Sequence, residues 1–304
     1  MSMQIRSTQQ SIAARVMRNL QNNLHETGRL QEQLSSGKTM SRPSDSPTGA
    51  VSALQLRGQI RSLDQYTRNA DDGIGWLGTL DTSMTTSLSH VRRARDLVVT
   101  GRAGTTAGSP QAREALAVEV DNIREALIDL ANTKYLDRPV FGGTTTGTAA
   151  YTAAGVYDGE PTGPNRTVDR MVGDGTVVRV DVTGPEVFGA EGSPTQIFDL
   201  LTNIAADLRS NNQAGLSTGL GDLDTAMQNL QTQLANVGAK YNRIEQMRQT
   251  ATDRSLSLAT QLSDVEDIDL PQTIMEMQMQ QTAYQAALST TAKVIQPSLV
   301  DFLR

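Results

Sequence analysis

Residues 223–265 read LDTAMQNLQTQLANVGAKYNRIEQMRQTATDRSLSLATQLSDV, and apolar side chains recur along them in steps of three and four. Such steps place the side chains on one narrow stripe of a helix that packs along a partner helix. The spacing continues for about twelve turns at 3.6 residues per turn, so it predicts one long helix. Arg248 and Ser255 stand in the stripe as polar residues, which we expect to fix its register. The stripe consists of Leu223, Met227, Leu230, Leu234, Val237, Tyr241, Ile244, Arg248, Ala251, Ser255, Leu258, Leu262 and Val265.

Two more helical patterns precede this one, a long pattern over residues 51–98 and a shorter one over 116–130. Serine followed by proline occurs at three places where a helix is expected to begin. The serine can accept hydrogen bonds from free amides, and proline fits the first helical turn. We therefore predict helix starts at Ser46-Pro47, Ser109-Pro110 and Ser193-Pro194.

The amino-acid composition changes between about residues 137 and 192, where glycine and threonine are frequent. Val178, Val180 and Val182 alternate there with charged residues, which is the period of a β-strand with one buried face. This region predicts a small β-rich domain within a mainly α-helical chain.

Both ends of the chain are rich in Gln, Ser, Thr and Met and carry narrow apolar stripes. A helix with so narrow a stripe needs a partner to cover it. We predict that the two ends form long antiparallel coiled-coil helices, frayed in a free monomer and ordered when neighbouring subunits cover them. The predicted assembly residues are Ile12, Val16, Leu20, Leu24, Leu30, Leu34, Ile274, Met277, Tyr284, Leu288, Ile295, Leu299 and Phe302.

Charge and composition exclude several classes of partner. The net charge is -6 and the pI is about 5.1, so no overall positive field attracts nucleic acid or anionic lipid. Cysteine is absent, which removes disulfides and thiolate chemistry. No apolar stretch predicts membrane insertion, and the first residues lack the apolar block of a cleaved signal peptide.

Residues 73–78, GIGWLG, match the G-x-G-x-x-G fingerprint of dinucleotide sites. That chemistry needs a strand before the glycines, whereas the residues before Gly73 have a helical pattern, so close helix packing or a kink explains the glycines better. The two histidines, His25 and His90, lie on different predicted helices without a paired ligand. We predict no enzyme activity, no metal and no cofactor.

Three motifs give the chain a resemblance to bacterial flagellins. They are Leu34-Ser35-Ser36-Gly37, then Asp45-Ser46-Pro47-Thr48-Gly49, then Asn69-Ala70-Asp71-Asp72-Gly73-Ile74. Their order within residues 19–81 resembles the N-terminal half of that family, and residues 265–304 resemble its terminal helix. The resemblance implies that Gly37, Pro47, Gly49 and Gly73 mark turn motifs near the domain boundaries.

Within the family, residues 135–151, YLDRPVFGGTTTGTAAY, resemble junction proteins of the hook-associated protein 3 type more than filament flagellins. Ala149-Ala150-Tyr151 departs from that pattern, because a proline-aromatic pair is expected there. The resemblance implies a structural subunit that joins hook to filament, with filament flagellin as the alternative. A secreted adhesion or binding protein that displays the β domain is a further alternative.

A junction protein of this family implies a set of partners and a location. The partners are other copies of the chain, flagellin, another hook-associated protein, an export chaperone and the type III export apparatus. The location is the extracellular flagellum, reached without a cleaved signal peptide. The implied division is an inner domain of residues 1–42 and 265–304, a helical bundle of 43–136 and 193–264, and a surface β domain of 137–192.

Overall fold

A computed structural model of the chain describes residues 2–103, 109–160 and 166–295, without the side chains of residues 2–10, 12, 13 and 293–295. The helices are α1 (Ser2–Ser36), α2 (Pro47–Arg102), α3 (Pro110–Ala131), α4 (Gly184–Phe188), α5 (Ile197–Ser210), α6 (Gln213–Glu266) and α7 (Leu270–Ile295). The strands are β1 (Lys134–Tyr135), β2 (Arg138–Pro139), β3 (Asp169–Gly173) and β4 (Thr176–Arg179), which form two antiparallel hairpins. The predicted fold, mainly helical with β structure in the middle and long helices at both ends, is confirmed.

The chain divides into two compact units. One consists of residues 1–61 and 255–304, and the other of residues 62–254. None of the helices in the described ranges is both long enough and apolar enough to cross a membrane. The division into three domains stays a prediction.

The predicted long helix is confirmed as α6, and the two rows of its stripe differ in burial, with Tyr241 of the predicted stripe 37% exposed. In the second unit, Leu223, Leu230, Val237 and Ile244 are each at most 1% exposed, and they recur every seven residues. The intervening Met227 and Leu234 are half-buried. Positions seven apart drift by only about 20° around an α-helix, so one row stays at the centre of the contact while the other lies at its margin.

Two of the three predicted Ser-Pro helix starts are confirmed. α2 begins at Pro47 and α3 at Pro110, with Ser109 accepting a hydrogen bond from the Ala112 amide. The third prediction is wrong, because Ser193 and Pro194 form a turn and α5 begins at Ile197. The Gln196 side chain takes the capping role there by accepting from the Asp199 amide at 2.7 Å.

The valine alternation in the middle region is confirmed in part. Val178 lies in β4, and Val180 and Val182 continue beyond it, all at most 4% exposed. Asp181, expected on the solvent side, is fully buried. Its Oδ1 accepts from the Val168 amide at 3.1 Å and from Arg179 Nε at 2.8 Å, and these bonds compensate the burial of its charge.

The glycine-rich segment 73–78 lies inside α2, as its helical surroundings predicted. Gly73 is therefore not in a turn: a Cβ there would stand 3.1 Å from Ile244 Cδ1, so the missing side chain permits close packing on α6. Trp76, nearby on α2, is 2% exposed and packs edge-to-face on Tyr135 with 5.9 Å between ring centroids. The match of residues 73–78 to the G-x-G-x-x-G fingerprint is thus explained by helix packing in the core of the second unit.

Candidate assembly site

The two terminal helices pack against each other in the first unit. Their direction follows from two contacts: Lys38 forms an antiparallel bridge with Asp267, and Gln280 Nε2 lies 3.3 Å from Asn23 Oδ1, to which it donates. The chain therefore runs toward the bridge along α1 and away from it along α7, so the two helices are antiparallel, as predicted.

On α1, the less exposed side chains recur in steps of three and four and so form one face. Leu30 is the most buried of them, with 4% of its surface exposed, whereas Leu24 is 58% exposed and lies off this face. Of the five described leucine and valine positions in the predicted stripe, four lie on this face. The face consists of Val16, Leu20, Asn23, Thr27, Leu30 and Leu34.

On α7, the corresponding face differs from the predicted stripe. Met277 and Tyr284 are half-buried, but Ile274 and Leu288 are 42% and 41% exposed. The face also contains Gln280, which meets α1 directly. Its members are Thr273, Met277, Gln280, Tyr284, Ala287 and Thr291.

Four predicted assembly residues cannot be placed by their side chains. Ile12 and Ile295 lie in α1 and α7, but their side chains fall outside the described residues. Leu299 and Phe302 lie wholly outside them.

Four polar members of the shared face, Asn23, Thr27, Thr273 and Gln280, were not predicted from the sequence, because polar residues do not stand out in an apolar pattern. A seven-residue spacing relates Asn23 to Leu30 and Thr273 to Gln280, and residues at this spacing lie on the same face of a helix. This spacing could have identified them in the sequence. A face with so many polar positions contributes little hydrophobic free energy, which agrees with its shallow burial.

The turn after α1 is tied to the end of α6 by backbone hydrogen bonds. The Thr39 amide donates to the Glu266 carbonyl at 2.7 Å, and the Ile268 amide donates to the Gly37 carbonyl at 3.1 Å. Gly37 has φ = 72°, a left-handed conformation that glycine adopts at the end of a helix at little cost. Gly37 therefore ends α1 in a left-handed conformation at this turn.

Ion pairs reinforce this tie. The Glu266 side chain is 5% exposed and lies 2.8 Å from Arg57 Nη2 and 3.4 Å from Lys38 Nζ. Lys38 Nζ also lies 2.6 Å from Asp267 Oδ1. This hydrogen bond lowers the pKa of Asp267 and raises that of Lys38, so both groups remain charged at neutral pH.

The start of α2 is built by the second predicted turn motif. Ser46 Oγ accepts from the Gly49 amide at 3.3 Å, and Asp45 Oδ2 accepts from the amides of Ser41 and Arg42 at 3.1 and 2.9 Å. These backbone hydrogen bonds lower the pKa of Asp45. A Cβ on Gly49 would stand 2.8 Å from Ser46 Oγ, so glycine is the residue that this cap accommodates.

Outside their shared face, the two terminal helices present an apolar surface. Within the ranges that the structure describes, His, Asp and Glu side chains do not form any group of three or more that could hold a metal ion. The outward sides of α1 and α7 instead expose large apolar side chains. These are Met17, Leu24, Leu270, Ile274, Met275, Met279 and Leu288.

Comparison with known proteins identifies the family. Residues 7–146 match the bacterial flagellin N-terminal helical region, and residues 220–303 match the bacterial flagellin C-terminal helical region. The chain is 27% identical to flagellar hook-associated protein 3 of Escherichia coli over 293 residues, 89% of this chain and 91% of that protein. It is 24% identical to a flagellin of Bacillus subtilis over 297 residues, 93% of this chain and 94% of that protein.

Among solved structures, the fold is similar to that of the flagellar junction protein FlgL from Legionella pneumophila. The TM-score is 0.56 at 15% identity, and the match covers 70% of this chain and 99% of that one. The two family regions cover α1 from residue 7 onward and all of α7, the helices of the candidate assembly site. The chain belongs to the bacterial flagellin family of flagellar structural proteins.

Proposed function

We propose that this chain is the structural subunit that joins the flagellar hook to the filament. The observation that carries the proposal is the unfinished packing of the terminal helices. In the described part of their shared face, only Leu30 and Thr273 are buried. Large apolar side chains remain outside, and an exposed apolar surface of this kind marks an interface.

The junction subtype is supported by similarity to hook-associated protein 3 over 89% of the chain and by the likeness of residues 135–151 to junction proteins. On this proposal, one end of the assembled subunits contacts another hook-associated protein and the other contacts flagellin. The subunits leave the cell through the type III export apparatus, aided by an export chaperone, without loss of a signal peptide. Their role is structural, without catalysis.

Filament flagellin is the second candidate, because a flagellin matches 93% of the chain. Immunogold labelling of isolated flagella separates the two. A junction subunit is labelled in one short zone between hook and filament, whereas a flagellin is labelled along the whole filament. Deleting the gene provides a second readout: loss of a junction subunit should leave bare hooks and release flagellin into the medium. Normal filaments in the deletion strain would contradict the proposal.

The role of the outward apolar side chains is tested by Leu288→Asp. Leu288 is 41% exposed on α7, so the charge costs the monomer little but opposes burial against a neighbour. We expect soluble, exported monomer and no filaments. Thr290→Asp places the same charge at an exposed polar position of α7 and should leave filaments normal. Normal filaments on cells that carry Leu288→Asp would show that this surface remains exposed to solvent in the assembled flagellum.

A further inference from the structure

Charges of opposite sign are segregated in the first unit. Residues 38–61 contain the cations Lys38, Arg42, Arg57 and Arg61 against one acid, Asp45. Residues 255–270 contain the acids Asp264, Glu266, Asp267 and Asp269 and no cation. The start of α2 with its preceding loop is therefore a basic segment, and the end of α6 with the loop after it is an acidic segment.

The two segments already pair within one molecule. Arg57 binds Glu266 at 2.8 Å and Lys38 binds Asp267 at 2.6 Å. These pairs use one side of each segment and leave further charges. Arg42, Arg61 and Asp264 are exposed, and none of them makes an ion pair within 4 Å in the part of the chain that the structure describes.

Arg61 and Asp264 each share a helix face with at least one exposed apolar side chain, and Arg42 lines a surface hollow together with Leu54. On α2, Val51 and Leu54 are 56% and 62% exposed, and with Arg61 they lie within about 80° of arc at 3.6 residues per turn. On α6, Leu256 is 71% exposed and lies about 80° of arc from Asp264 by the same geometry. The α2 surface thus combines two exposed apolar side chains with cations, and the α6 surface combines one exposed apolar side chain with an acid.

We infer that the basic surface of one copy (Arg42, Val51, Leu54, Arg61) docks on the acidic surface of the next (Leu256, Thr260, Asp264). Opposite charges on apolar surfaces favour this pairing, whereas docking of like surfaces places equal charges together. Because the two surfaces differ, the contact is heterologous and repeats from copy to copy into a ring or helix. The inference rests on the proposed function, since it names the partner surface of a self-assembling subunit.

The chain contains no cysteine, so disulfide trapping tests the contact in purified full-length protein. Leu54→Cys and Leu256→Cys are made as separate variants, mixed in equal amounts and oxidised. A disulfide needs Cα atoms within about 7 Å, so it reports docking of these two surfaces. We expect the mixed dimer to exceed each like dimer by about tenfold, because like charges oppose the alternatives.

Charge reversal provides the specificity control. Arg42→Glu with Arg61→Glu on the Leu54→Cys chain should remove the excess of mixed dimer. Thr260→Lys with Asp264→Lys on the Leu256→Cys chain should restore it. Circular dichroism and melting temperature check that each variant keeps the fold.

A mixed dimer that does not exceed the like dimers, or that ignores charge reversal, would overturn the inferred contact. The proposed junction function is read separately, by filament growth on hooks. If the mixed disulfide dimer forms but deletion of the gene leaves filament growth normal, the proposed function alone is contradicted. If filament growth requires the gene but the mixed disulfide dimer does not form, the inferred contact alone is contradicted.

Discussion

Truncating Leu30 to alanine tests whether α1 and α7 are held together by their shared face. Leu30 is 4% exposed. Leu24 lies on the same helix but outside the shared face, and it is 58% exposed. Removing a buried leucine side chain costs about 2–5 kcal/mol, and the lower half applies where neighbours can relax. We take about 3 kcal/mol, which corresponds to roughly a hundredfold change in an equilibrium constant.

The assay is amide hydrogen exchange on the free protein, followed in peptides from residues 14–36 and 270–292. Local opening of this unit controls exchange there. Leu30→Ala should therefore speed exchange in both peptides, by up to about a hundredfold. Leu24→Ala removes the same atoms from a solvated position and should change the opening free energy by less than about 0.5 kcal/mol.

Peptides from residues 223–244, in the second unit, serve as the internal reference and should be unchanged in both variants. Equal effects of the two substitutions would refute the assignment of the shared face. If both terminal segments of the unmodified protein already exchange at the unprotected rate, the helices do not pair in the monomer. That result would support the expectation that the ends fray until neighbouring subunits cover them.

Three further predictions concern backbone, pH and burial. Gly28→Ala should raise the melting temperature, because alanine favours a helix more than glycine does and its Cβ would meet nothing within 4 Å. Gly49→Ala should not raise it, because its Cβ would meet two side chains at 2.8 Å. Burial alone would raise the pKa of Glu186, but a backbone N–H and Arg179 outweigh it and lower that pKa below its usual 4.5. The stability from this carboxylate is therefore present above pH 4.5 and lost as pH falls through the lowered pKa, so Glu186→Gln should flatten the acid limb of a pH-stability profile. Burial raises the pKa of Tyr157 to about 12, so ultraviolet titration should show late ionisation that Tyr157→Phe removes.

Each of the three has a result that would contradict it. Equal melting temperatures for the two glycine variants would argue against the tight cap at the start of α2. An unchanged acid limb in Glu186→Gln would remove that carboxylate from the network around Arg179. Ionisation of every tyrosine near the ordinary pKa of 10 would mean that water reaches the aromatic cluster of the second unit.

Much of the fold was predictable because its patterns are local and repeated. The stripe from Leu223 to Val265 fixes α6, since a helix needs only a periodic apolar row and a partner to cover it. Ser46 and Ser109 mark helix starts through bonds made within three residues. Ser193 misled for the same reason: its neighbour Gln196 supplied a competing local cap, and a propensity does not decide between two adequate caps.

The pairing of the terminal helices was predictable in kind but not in detail. The sequence named Leu30, Leu34, Met277 and Tyr284, and the structure places them on the partly buried faces of α1 and α7. It did not indicate that Asn23 and Gln280 meet there, because polar residues carry no signal in an apolar pattern. The buried Glu266 was also missed, since its partners Arg57 and Lys38 lie more than 200 residues away.

By itself, the sequence determined the helical class, the presence of the long helices, the pairing of the two ends and the resemblance to flagellins. These depend on periodicity and short motifs, which are written along the chain. Only the tertiary structure decided which apolar residues of α1 and α7 face each other and which remain outside. That choice depends on the rotation of one helix against another, and several narrow stripes of similar apolar character leave it open until both partners are in place.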